Sequence, residues 1–413
     1  MIDSTAVRAA RRQALVLTGL LLAVGGLYLG LLGWRSTDVD WWFVPWMEHI
    51  IQHGARASLA EPIEIQVAGA QGFANYTPPY LYLLILAGFA SDVLSSFALV
   101  KLVAVGGAVF CAGCVFYLLR ALVPPGVALL GAAGVLLLPT VALNGAAWGQ
   151  TDTIWSGLAV LVVAFALRER WAAMLITFGV ALAFKLQAIF IAPFILHIIL
   201  SRRVGLRYWP LPLLAYAAMM LPAWLAGRPA WDLARVYLDQ AGTYRWLSMN
   251  APNPWSFVQY LRLVPYETGV IIGTLATILA ALLLGGLSVL WRRLERVDLL
   301  LLAVVVAGSM PYLLPKMHDR YFFLADVLAY ALAISRPRPW TIGVAVAIQL
   351  GSLGAYAAHM LDFAPGKYLG ALLIGAALVV ALGQLLRALR RPGAGLSRHA
   401  SLWPARAGAR SVG

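Results

Sequence analysis

Apolar runs long enough to cross a bilayer recur along this chain from Leu15 to Leu386, and no other feature restricts its fold as strongly. Each run carries backbone N–H and C=O groups that must find partners without water, which in lipid leaves only helices or a closed barrel. The runs are continuous Leu, Ala, Val and Gly without apolar–polar alternation, so they select helices. Composition agrees: 62% of the 413 residues are hydrophobic and only 12% are charged, well away from the balance of a soluble domain. The expected fold is therefore all-α and polytopic. It forms one domain over residues 1–389, followed by a basic tail over 390–413 whose Gly, Ser and Pro content is expected to leave it disordered.

The formal net charge is +14, yet the Lys and Arg residues lie in short loops between apolar runs rather than on one face. That placement excludes a nucleic-acid-binding surface and reads as a topology signal, since basic loops stay cytoplasmic. Arg8, Arg11 and Arg12 precede an apolar stretch, Ala14 to Leu32, that is too long for a signal peptide and is read as a retained first span. Arg168/Arg170, Arg202/Arg203/Arg207, Arg292/Arg293/Arg296, Arg336/Arg338 and the Arg387/Arg390/Arg391 tail mark further cytoplasmic points. Cys111 and Cys114, one helical turn apart within an apolar run, read as small packing residues rather than a redox or metal pair.

These anchors require the loops at 34–78 and 227–265 to be extracytoplasmic, together with the segments around Lys185, Lys316 to Arg320, and His359 to Lys367. Four apolar runs separate the first loop from Arg168, and four crossings would break the parity. The shortest run, Pro78 to Ala90, begins with two prolines and is expected to be a half-helix that does not cross. About twelve spans with both termini cytoplasmic result.

Three extracytoplasmic clusters combine carboxylates with aromatic, amide or cationic groups near a membrane boundary, where burial tunes reactivity. In Asp38-Val39-Asp40-Trp41-Trp42-Phe43-Val44-Pro45-Trp46, one acid can act as a general base, or the pair can hold a divalent cation such as Mg or Mn; a plain aromatic belt is the bland reading. Trp148-Gly149-Gln150-Thr151-Asp152 heads a span. Gln150 and Asp152 can bond sugar hydroxyls while Trp148 offers a stacking face, the bland reading being Asp152 as a helix N-cap. Lys316-Met317-His318-Asp319-Arg320-Tyr321 places cations where topology does not ask for them, and with Lys185 they suit a lipid phosphate.

Asp38 through Pro45-Trp46, Asn75-Tyr76-Thr77-Pro78-Pro79-Tyr80, Trp148 to Asp152, Phe184-Lys185-Leu186-Gln187 with Pro193, and Met317-His318-Asp319-Arg320-Tyr321 occur in an order that resembles the mannosyltransferase-like bacterial branch of the GT-C glycosyltransferases, relatives of the GPI-anchor mannosyltransferases. The resemblance runs from about Asp38 to Asp326. It implies a polyprenyl-phosphate sugar as donor, inverting transfer, an inner-membrane location, and an acceptor glycan, lipid or protein. The essential acid it implies falls on Asp38, with Asp40 kept beside it. For such a transfer the residues themselves suggest Lys185, His318 and Arg320 for the donor phosphate, and Tyr76, Trp148, Gln150 and Asp152 for the sugar or acceptor. His318-Asp319-Arg320 stands where His-Glu-Arg is usual. Lys101 matches a family lysine, but Ala108 replaces the acid that often follows it. No Gly-rich nucleotide loop occurs, as a lipid donor would require. A transporter or flippase of lipid-linked sugars is the rival reading, though the paired broken helices of transporters have no counterpart here.

Overall fold

The computed structural model describes residues 4–65, 70–72, 74–242, 244–286 and 294–390. The expectations placed on Arg292, Arg293 and the 391–413 tail lie outside these residues. Helices account for most of the described chain, and the protein is a multi-pass, all-α membrane protein. By length and apolarity alone, seven helices can cross a membrane, and a bent pair makes an eighth. Five shorter apolar helices, Pro78–Gly88 among them, accompany these among the described residues.

α1 (Ser4–Leu32) leads to a π-helical turn, Val39–Phe43, and then to α2 (Val44–Ala60). α3 (Pro78–Gly88) follows, with prolines at its head, where the missing N–H is harmless. Its first turn is tied to the end of a later helix, since Thr77 donates to the Ala183 carbonyl at 2.5 Å. α4 (Ser96–Leu119) starts beside the same end, where Phe97 lies under the Arg35 guanidinium. It finishes at the opposite end, where Arg168 donates to the Tyr117 carbonyl. α3 therefore starts and α4 begins at one end of the bundle, so α3 does not cross. That is the half-helix the charge parity demanded.

α5 (Pro125–Val135) and α6 (Pro139–Ala142, continued by a π-helical turn to Ala147) form one span bent by 54° at Pro139, where the proline removes a helix hydrogen bond. α7 (Asp152–Leu167) and α8 (Trp171–Phe184) cross and return. A 3₁₀ segment, Leu186–Ile191, then joins α9 (Ala192–Arg202). α10 (Leu211–Ala226), the amphipathic α11 (Ala230–Gly242) and the short α12 (Pro254–Tyr260) precede the second half. That half is α13 (Tyr266–Gly286), α14 (Arg296–Leu313), α15 (Phe323–Ser335), α16 (Pro339–Met360) and α17 (Pro365–Arg390).

The main core lies where α4, α7, α14 and α15 meet, built from Ala108, Val160, Val163, Leu300, Val304, Leu328 and their neighbours, all removed from solvent. Cys111 and Cys114 are buried, reduced and packed in it. Outer faces of α1 and α13 keep Leu22, Leu29, Ile271 and Leu275 more than half exposed, as lipid-facing helices do. Asp152 and Arg168 bracket the 16 residues of α7, about 24 Å apart along its axis. Arg120, Arg168, Arg170 and Arg296 gather at the far end.

Candidate active site

Asp38 sits just before the π-helical turn, in a loop tied down by Ser36, whose hydroxyl donates to the Trp148 carbonyl at 2.8 Å and receives the Val39 N–H at 3.3 Å. Its carboxylate is partly exposed. Three donors converge on the same oxygen, Oδ2: Trp148 Nε1 at 2.8 Å, Gln150 Nε2 at 2.5 Å and Arg320 Nη1 at 3.5 Å. Among the described residues no hydrogen bond reaches Oδ1. The two donors from the 148–150 turn are aimed by Gly149, whose φ of +73° belongs to the left-handed region. A Cβ there would also lie 2.6 Å from Val39 Cγ2, so only glycine lets the two loops approach.

Asp40 faces elsewhere. Arg35 holds both its oxygens, with Nη2 2.9 Å from Oδ1 and Nε 3.2 Å from each. Residues two apart on a helical turn point away from each other. The Asp38–Asp40 pair thus does not converge on one cation, and among the described residues no group of three or more His, Cys, Asp or Glu is placed to hold a metal.

The second layer is ionic and dry. Asp152, fully buried, receives Lys185 Nζ at 2.7 Å and Trp155 Nε1 at 2.9 Å on Oδ1; Asn144 Nδ2 lies 3.0 Å and Arg320 Nε 3.3 Å from Oδ2. The sequence reading offered Asp152 to a sugar hydroxyl or to a helix cap. In the structure Asp152 makes no capping hydrogen bond, and its oxygens are the counter-charge of two buried cations. Lys185 gets there because the chain is extended between α8 and the 3₁₀ segment, with φ −160° and ψ 136°, which turns its side chain inward under Tyr76. Tyr76 in turn reaches Gln150 Oε1 at 3.4 Å.

Trp148 is also placed differently from the expectation of an open stacking face. His359 stacks on it at 4.6 Å with planes 14° apart, Arg320 lies over the ring at 5.2 Å, and Tyr356 meets it edge-on at 5.3 Å. Its indole N–H is donated to Asp38. Lys101, matched to a family lysine, is buried in α4 and donates to the Ala146 and Ala147 carbonyls. It satisfies the end of the π-helical turn and so sets where Trp148 begins.

His318, Asp319 and Arg320 lie in the α14–α15 loop, which two-residue strands, Ser248–Met249 and Met317–His318, brace against the α11–α12 loop. Burial, followed by the nearby Arg320 and Lys185, pushes the His318 imidazole down to about 3, so it is a neutral hydrogen-bonding group rather than the cation the sequence suggested. Burial pushes the Asp319 carboxyl up to about 6, against the pull of Arg320 and His359. Arg320 is buried too, which by itself lowers its affinity for the proton. Asp38, Asp152, Tyr76 and Asp319 overcome that and hold it well above its ordinary value.

The structure thus brings Asp38, Tyr76, Trp148, Gln150, Asp152, Lys185, His318 and Arg320 together and leaves Asp40 to one side. Asn144, Trp155, Tyr356, Asp319 and His359 belong to the same constellation and were not assigned from sequence. One signal was available: Gln349, Ser352, Tyr356 and His359 recur at helical spacing in an otherwise apolar run, and polar groups inside a membrane face a cavity or a partner.

No protein-family model and no curated protein matches the sequence. Among solved structures, ArnT from Cupriavidus metallidurans, determined bound to undecaprenyl phosphate, is similar over 90% of this chain and 77% of its own, with a TM-score of 0.55 at 14% identity. At that identity the likeness is one of fold, a polytopic all-α arrangement.

Proposed function

We propose that this protein is a membrane glycosyltransferase that moves a sugar from a polyprenyl-phosphate donor to an acceptor hydroxyl on the extracytoplasmic face, with inversion. Mannose is the favoured sugar by family resemblance. The observation that carries the reading is the one-sided solvation of Asp38, with three donors on Oδ2 and Oδ1 left to accept a proton. In this scheme Oδ1 takes the acceptor's hydroxyl proton as the oxygen attacks the anomeric carbon, and the bond from that carbon to the phosphate oxygen breaks, its electron pair staying on the phosphate. Arg320 and Lys185 face the developing charge with donors not spent on Asp152, and His318 adds a neutral donor.

A lipid donor needs a route from the bilayer. An apolar cavity of about 310 Å³ lies between α9, α13 and α14, lined by Ile189, Pro193, Leu196, Ile278 and Leu314. Phe190 on its wall is 6.2 Å from the ring of Tyr321, and Tyr321 is 5.1 Å from that of His318. This path supports a polyprenyl chain lying in the groove with its phosphate at the buried cations, and ArnT's bound undecaprenyl phosphate fits the same reading.

The test is to incubate the purified protein with a panel of polyprenyl-phosphate sugars and follow release of polyprenyl phosphate. Asp38→Asn should lower turnover by about a hundred- to ten-thousand-fold, the range for loss of a general base, while donor binding survives. Passage of the intact lipid-linked sugar across vesicles without any release of polyprenyl phosphate would replace this reading with a flippase.

A further inference from the structure

The charges at the site do not balance for an anionic ligand. Two buried cations, Lys185 and Arg320, are shared among three carboxylates, Asp38, Asp152 and Asp319. With all three ionised the set carries one net negative charge before any phosphate arrives. A phosphodiester would make it two, in a site where Asp152 and Asp319 have almost no contact with water.

His359 is positioned to correct this. It lies in the last turn of α16, where the unpaired carbonyls of the helix end favour a cation. Its Nδ1 is 3.3 Å from Asp319 Oδ2, its ring is stacked on Trp148, and its side chain is 37% exposed, open to proton exchange. Trp148 connects it directly to Asp38 through the 2.8 Å indole hydrogen bond. The charged and titratable groups around it are Asp319, Arg320 and the neutral His318 from the α14–α15 loop, with Asp38, Asp152 and Lys185 behind them. Lys367, at the start of α17, is turned to Asn250 Oδ1 at 3.0 Å. The Asp319 carboxyl, pushed up to about 6 by burial, and the His359 ring nitrogen 3.3 Å away are placed to share one proton.

We propose that the His359–Asp319 pair binds a proton when the donor's phosphate enters, so that His359 supplies the third positive charge of the phosphate site. This rests on the glycosyltransferase reading only in that the ligand is a lipid phosphodiester. His359 acts on Asp38 through Trp148 and through its field, and is a positioning residue rather than a catalytic one. Affinity should rise as the pH falls toward that at which Asp319 titrates, because protonated His359 or protonated Asp319 each lowers the negative charge that phosphate meets. One proton taken up per ligand corresponds to about a tenfold change in affinity per pH unit.

The experiment is calorimetric titration of the intact, detergent-solubilised protein with methyl polyprenyl phosphate at pH 6, 7 and 8, in buffers of different ionisation enthalpy. The probe is a diester, whose single charge does not titrate near neutrality as a monoester's does. Wild-type protein should take up a fraction of a proton approaching one at pH 8. His359→Gln, which keeps a planar group against Trp148, should lose much of that uptake, leaving only what Asp319 takes by itself, and bind about tenfold more weakly at pH 6. Asp319→Asn should also lose most of the uptake but without that weakening, because it removes the surplus negative charge; it serves as well if the glutamine variant does not fold. Undiminished uptake in both variants overturns the proposal, as does a wild-type affinity that is flat from pH 6 to 8. Absence of any binding by wild-type protein is a different result: it overturns the donor assignment itself.

Discussion

Lys185 and Asp152 meet at 2.7 Å where neither has appreciable access to water, so each is the other's solvent. Removing one partner leaves an uncompensated buried charge, whereas removing both leaves none. Asp152→Asn should therefore lower stability by about 3–5 kcal/mol, and the double change Asp152→Asn with Lys185→Met should be milder than Asp152→Asn alone. Reversible unfolding in detergent measures both; additive losses would mean that the pair is not an energetic unit. The sequence made Lys185 conspicuous, because a cation between two apolar runs has to be matched, but it gave no hint that Asp152 is the match. They are 33 residues apart, one at the head of α7 and the other in the extended link after α8. Trp148 shows the same limit: an aromatic residue at a membrane boundary could as well offer its face as its N–H, and only the neighbours on both its ring and its nitrogen decide.

α16 shows how one helix can serve two surfaces. Its polar residues run along one side at spacings of three and four, each with a partner from another element: Gln349 with Thr140 at 2.9 Å, Ser352 with Asp326 at 3.0 Å, Tyr356 with Asn144 at 3.3 Å, and His359 with Asp319 at 3.3 Å. Gly351 and Gly354 face α17, where Gly366 and Gly370 lie so close that a Cβ on Gly354 would overlap the Gly366 carbonyl oxygen. Small residues at such contacts let backbones approach, which is the main source of helix association in lipid. Gly354→Leu must push α17 away and is expected to cost about 1–3 kcal/mol, read as a lower unfolding midpoint in detergent. It should also reduce donor affinity, since His359 lies little more than one turn further along the same helix; a variant as stable and as tight-binding as wild type would show that the α16–α17 contact does not set the site.

At the scale of the molecule, every group assigned to the reaction comes from the end of the bundle opposite Arg120, Arg168, Arg170 and Arg296. Because basic loops are retained in the cytoplasm, the site end should face outward. The exposed residues Thr37 and Glu169 test this, since Cys111 and Cys114 are buried and silent to reagents. Thr37→Cys should react with an impermeant maleimide in intact cells and Glu169→Cys only after permeabilisation, and the reverse pattern would invert the topology. The membrane class, the helical fold and the half-helix at Pro78 were legible in the residues themselves, because hydropathy, loop charge and proline act locally and a bilayer leaves the backbone few options. The order of the motifs also pointed to eight of the residues that lie together, Asp38, Tyr76, Trp148, Gln150, Asp152, Lys185, His318 and Arg320, but not to Asn144, Trp155, Tyr356, Asp319 or His359. What each of them touches was decided by tertiary structure alone. Asp38 and Asp40 are chemically alike and two positions apart, yet a π-helical turn gives one to Trp148 and Gln150 and the other to Arg35. His359 and Asp319 become a pair only because α16 ends beside the α14–α15 loop. Charge pairing acts through a few ångströms of space, and no pattern along a single chain records which distant segments will share them.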